Sequence, residues 1–106
     1  MIRSAFTLKV KLGKLAEYRK YHDEIWPELV AEIKRSGIKS MTSFERDSTV
    51  FYFSETESAD SWERLWNSEV HQRWAKLMGP LIEMRPDGKV DSASLMEIFH
   101  LETGGE

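Results

Sequence analysis

Tyr18, His22 and Trp26 follow one another at four-residue intervals. Each residue of an α-helix turns by about 100°, so this spacing sets all three on one side. Imidazole titrates close to neutral pH and can give or take a proton without an extreme environment. A phenol one turn before it and an indole one turn after it would frame a small polar ligand. Leu15, Ile25, Leu29 and Ile33 fall on the same stripe, so the histidine interrupts a face otherwise given to aromatic and aliphatic groups. Burying an imidazole there costs free energy unless it finds a hydrogen-bond partner. A core histidine with a satisfied hydrogen bond would show the same pattern, and residue types alone leave both readings open.

The elements that must hold these residues can be read from periodicity. Helical spacing runs from about Lys14 to Arg35, and Gly37 is placed to stop it. Pro27 lacks an amide donor and its ring crowds the carbonyl of Asp23, which predicts a kink just past His22. Ahead of this helix, Ile2 to Val10 alternates with a strand period. Beyond it, Lys39 to Arg46 and Thr49 to Thr56 read as a hairpin joined by Asp47-Ser48. Val50-Phe51-Tyr52-Phe53 is apolar on both faces, as a central strand would be. Ser58 reads as an N-cap for a helix whose Trp62, Leu65 and Trp66 form a core stripe. Asn67-Ser68 marks a break and a second cap, and Val70, Trp74, Leu77 and Met78 share one face of the next helix, which Gly79-Pro80 closes. His71 and Arg73 fall off that stripe and read as solvated. Glu83 to Lys89 is a turn-rich loop, Ser94 to Leu101 alternates again as a last strand, and residues 102–106 form a polar tail.

Strand, helix, strand, strand, helix, strand is the split βαβ order of an α+β domain, with an antiparallel four-stranded sheet and helices on one face. Phe6, Met41, Phe44, Phe51 and Phe53 cannot all enter one helix-covered core. The uncovered face therefore calls for a second copy or a ligand, and a homodimer through the sheet is the expectation.

Composition sets limits. The 106 residues carry a formal net charge of −3 and 41% hydrophobic residues, which suits one domain (1–106) with its own core. With no cysteine, disulfides and thiolate metal sites are excluded. His22, His71 and His100 are scattered without metal-ligand spacing, and no metal is expected. Mixed, mildly acidic charge argues against nucleic acid as a partner. The opening run lacks the apolar core of a signal peptide, and no run reaches membrane-spanning length, so a cytoplasmic protein is expected.

Three blocks carry a family likeness. Met1-Ile2-Arg3-x-Ala5-Phe6, then Glu17-Tyr18-x-x-x-His22-x-x-Ile25-Trp26-Pro27-Glu28-Leu29, then Gln72-Arg73-Trp74 together resemble the L-rhamnose mutarotase family, in order from Met1 to about Leu101. The resemblance implies a dimeric α+β barrel of two ferredoxin-like subunits. It also implies interconversion of the α and β anomers of a 6-deoxy sugar, with no cofactor. By the same resemblance His22 is the proton donor, and Tyr18 and Trp74 contact the sugar, with Trp26 expected to shape the pocket wall. Met41 stands where the family usually has a second sugar-contacting tyrosine, and Trp74-Ala75 replaces a tandem tryptophan pair. Arg85-Pro86-Asp87-Gly88-Lys89 replaces an Asn-Pro-Asp-Asn-Ser loop. These substrate-side departures at Met41 and Ala75 open the choice of sugar, with L-fucose the alternative to L-rhamnose. Two other classes compete on the same fold: a small dimeric monooxygenase, and a sugar-binding domain without catalysis.

Overall fold

Alternating residues and turn chemistry build a sheet that holds the site from below. The computed structural model describes residues 1–104, so the end of the polar tail lies outside the described residues. Its elements are β1 (Ile2–Lys9), α1 (Leu15–Asp23), α2 (Pro27–Arg35), β2 (Ile38–Arg46), β3 (Thr49–Thr56), α3 (Ser61–Trp66), α4 (Glu69–Met78) and β4 (Ser92–Leu95). The strands form one antiparallel sheet in the order β2-β3-β1-β4, with β3 interior as its two apolar faces predict. This is the α+β, ferredoxin-like arrangement. Asp47 and Ser48 close the β2–β3 hairpin with φ of 52° and 67°. Left-handed backbone at both central residues suits the right-handed twist of the strands it joins.

Register decides which side chains meet. Phe6 lies opposite Tyr52, Leu8 opposite Val50, and Met41 opposite Ser54, all on the helix-covered face. Phe44 pairs with Phe51 and Thr42 with Phe53 on the other face. There Phe44, Phe51, Phe53 and Leu95 remain 65%, 39%, 41% and 45% exposed. The aromatic residues thus divide between two faces, and one face stands uncovered in the single chain.

Three expectations are corrected. The stretch from Lys14 to Arg35 is two helices, not one kinked helix. Pro27 forces its predecessor Trp26 into extended backbone, φ −63° and ψ 133°, and then occupies the first position of α2, where a missing amide donor costs nothing. The last strand is Ser92–Leu95, not Ser94 to Leu101. Past Leu95 an Arg3–Glu97 ion pair of 2.7 Å ties the chain to β1, while Met96, Ile98, Phe99 and Leu101 stay exposed. Finally, Asp60 and not Ser58 is the N-cap of α3, and the Ser58 hydroxyl donates to the Asp60 carboxylate instead. The second cap is where the sequence puts it: Ser68 Oγ accepts the His71 amide at 3.2 Å.

Gly37 turns the chain from α2 into β2 with φ of +90°. A Cβ at this position would stand 2.9 Å from Ser61 Oγ, so glycine is required by space as well as by conformation.

Candidate active site

A cavity of about 120 Å³ lies between the helix-covered sheet face and the helices. The sheet supplies Phe6, Met41 and Tyr52; α1 supplies Tyr18 and His22; α4 supplies His71, Trp74 and Ala75. Trp62 and Trp66 close it from α3. Tyr18, Tyr52 and Trp74 are buried, and His22 is half-buried.

The tautomer of His22 follows from its hydrogen bond. Its Nδ1 lies 2.9 Å from the Tyr18 carbonyl oxygen one turn earlier. A carbonyl only accepts, so Nδ1 carries the hydrogen, and in the neutral ring Nε2 keeps a free lone pair. That Nε2 lies 3.5 Å from Tyr52 Oη, which in turn touches Tyr18 Oη. Burial pushes the His22 imidazole below the ordinary histidine range; the bond to the Tyr18 carbonyl and the charge of Asp23 oppose this in part. Burial raises the Tyr18 phenol, and contact with Tyr52 raises it further. The Tyr52 phenol is also raised by burial, against an opposing effect of its bond to Tyr18. At neutral pH the cluster therefore combines a basic nitrogen with two protonated phenols.

Aromatic rings shape the rest. The Trp74 indole stands edge-on to His22, with ring centroids 5.3 Å apart. Trp26 does not line the cavity. It packs edge-on behind Trp74 at 5.2 Å, with the Arg73 guanidinium 5.7 Å from its own ring centroid. It stands behind Trp74 and outside the lining, a correction to the wall position expected of it. Among the described residues no three His, Cys, Asp or Glu side chains are grouped to hold a metal ion.

The sequence profile of the L-rhamnose mutarotase family matches residues 3–101. The chain belongs to that family. An L-rhamnose mutarotase of Oceanobacillus iheyensis is 34% identical over 104 residues, covering 96% of this chain and 100% of the relative. The crystal structure of L-rhamnose mutarotase from Formosa agariphila superposes with a TM-score of 0.82 at 28% identity, covering 96% of this chain and 100% of that one. An antibiotic biosynthesis monooxygenase superposes with a TM-score of 0.62 at 10% identity, over 92% of this chain and 99% of that one, and shares the fold alone. No helix among the described residues is long and apolar enough to cross a membrane.

Of the positions that the mutarotase likeness marks, Tyr18, His22, Met41, Trp74 and Ala75 all line the one cavity. The loop Arg85 to Lys89 does not, and Asp87 there accepts the Lys89 amide at 3.0 Å as a turn residue. Two titratable lining residues lie outside the sequence expectations. Tyr52 hid in a strand apolar on both sides. His71, expected in solvent, is 8% exposed, stacks edge-on against Trp66 and has no hydrogen-bond partner for Nδ1 among the described residues. It lies three residues before Trp74 and seven before Met78, a helical spacing that marks the buried side. Trp62 is half-buried and donates its Nε1 hydrogen to Ser54 Oγ at 2.9 Å, whereas Trp66 is 40% exposed and is not core.

Proposed function

We propose that this chain is an L-rhamnose mutarotase, a cofactor-free isomerase of the aldose 1-epimerase type. The observation that carries the reading is the unprotonated Nε2 of His22, held in a cavity beside Tyr18 and Trp74. Ring opening takes a proton from the anomeric oxygen O1, breaks the C1–O5 bond and puts a proton on O5. Closure onto either face of the aldehyde reverses those events and sets the anomer. His22 Nε2 takes the O1 proton on opening and gives a proton to O1 on closing, so it is the proton donor of the second step. The Trp74 indole offers a flat face to sugar C–H groups, and the Tyr18 hydroxyl a hydrogen bond.

The lining is largely apolar, which suits a sugar whose sixth carbon is a methyl. Methyl recognition by apolar contact is worth only about 1–3 kcal/mol, so hydroxyl contacts must separate one 6-deoxy sugar from another. Met41 and Ala75 bring no such contact, so neither separates L-rhamnose from the alternative substrate, L-fucose. Polarimetry of freshly dissolved anomers tests the choice. L-rhamnose is expected to equilibrate faster with enzyme than L-fucose does, and the reverse order would assign L-fucose.

The protein is further proposed to be a cytoplasmic homodimer that binds neither nucleic acid nor membrane. The support for dimerisation is the open sheet face with Phe44, Phe51 and Phe53, continued by exposed Met96, Ile98 and Phe99. Sedimentation equilibrium is expected to give twice the 12.4 kDa chain mass, reduced to one chain by Phe53→Asp. A monomeric wild-type protein at micromolar concentration would refute it.

A further inference from the structure

We infer that Tyr52 is the second proton carrier of the sugar reaction, giving its hydroxyl proton to O5 while His22 takes the proton of O1. This rests on the mutarotase reading. O1 and O5 are bonded to the same carbon, so the group that accepts one proton and the group that donates the other must stand side by side. Nε2 of His22 and Oη of Tyr52 do so, 3.5 Å apart at the same cavity.

The hydrogen directions agree. Nδ1–H of His22 is committed to the Tyr18 carbonyl, so Nε2 can only accept, and the Tyr52 hydroxyl is the donor facing it. The Tyr18 hydroxyl then donates to the Tyr52 oxygen. A phenol can donate and accept at once, which places Tyr52 in the middle of a three-member chain. Its ring is fixed independently of the helices. It sits on interior strand β3 opposite Phe6, stacked on that ring with centroids 5.0 Å apart and planes 13° apart.

The step balances without an added reactant. On opening, the O1–H bond breaks, its proton goes to Nε2 and its electron pair forms the C1=O1 double bond of the aldehyde. The electron pair of the C1–O5 bond goes to O5, which takes the Tyr52 hydroxyl proton. The resulting Tyr52 phenolate is held by the Tyr18 hydroxyl. Nε2–H then returns a proton to the Tyr52 oxygen, so the sugar has moved one proton from O1 to O5 and the protein is restored. Closure runs the same sequence backwards.

Tyr52→Phe tests this because phenylalanine keeps the stack on Phe6 and removes only the hydroxyl. The turnover number for anomer exchange is expected to fall by about a hundredfold or more, with KM changed by less than about threefold. In mixed H₂O and D₂O the wild-type rate should curve against deuterium fraction, as two protons in flight require, and the variant should give a straight line. A variant with wild-type turnover would overturn the assignment while leaving the mutarotase reading standing. If wild-type protein accelerates no sugar, that reading itself fails and Tyr52 falls with it. Should circular dichroism show the variant unfolded, the wild-type isotope curve decides alone, and a straight line refutes a two-proton cycle.

Discussion

Alanine at position 22 is expected to bring anomer exchange down to the buffer rate while circular dichroism stays that of the wild type. A positioned acid–base group contributes about 10²–10⁴-fold, and the turnover number should fall by that order. The fold should survive because His22 is half-buried and its one close hydrogen bond is to its own helix. Acidity gives the matching signature in the wild type. Burial depresses the imidazole, so the neutral, active form persists as pH falls through the ordinary histidine value of about 6.5. Asp23 is the nearby charge that opposes this, and the Tyr18 and Tyr52 phenols stay protonated throughout. The rate at low sugar concentration should be level near neutrality and decline only at pH below that value. A decline already under way between pH 8 and pH 7, or full turnover in His22→Ala, would contradict a neutral imidazole base.

Trp74→Ala is expected to cost both stability and binding. Trp74 is 6% exposed and fills the space between His22 and Trp26, so truncation leaves a hole in the helical layer. Removing a buried tryptophan side chain costs about 3–5 kcal/mol, a large share of the roughly 5–15 kcal/mol that holds a domain folded. The urea midpoint should drop accordingly. Trp74→Phe should restore most of the midpoint yet raise KM for the sugar more than it lowers turnover, since a smaller ring covers less of the pyranose. An unchanged midpoint in the alanine variant would mean the indole packs against nothing that matters.

Much of this architecture was legible because two of its signals are local. Strict alternation in β1 and two-sided apolarity in β3 follow from the two-residue repeat of a strand and need no knowledge of distant contacts. His22 stood out because helical spacing placed a titrating group inside an apolar stripe. The break before Pro27 was not legible as such, because both helices keep the same stripe, and a kinked helix and a broken one share one periodicity. β4 was overextended for a different reason. Leu95 to Leu101 keeps the alternation of a strand, but pairing with β1 stops at Ala5 opposite Leu95. Tyr52 reads as one more apolar residue of a central strand; the clue was its hydroxyl, which a buried tyrosine must satisfy. His71 falls off a stripe drawn through Val70, Trp74, Leu77 and Met78, although its own spacing to Trp74 and Met78 points inward.

Saturation-transfer NMR on the wild-type protein with L-rhamnose tests most directly whether the protein interconverts the anomers of a bound sugar. Irradiating the anomeric hydrogen of one form should diminish the signal of the other in proportion to enzyme added, far beyond the buffer rate. Sugar that binds, seen as shifts at Trp74, with no transfer above buffer would make this a sugar-binding domain and contradict the catalytic account.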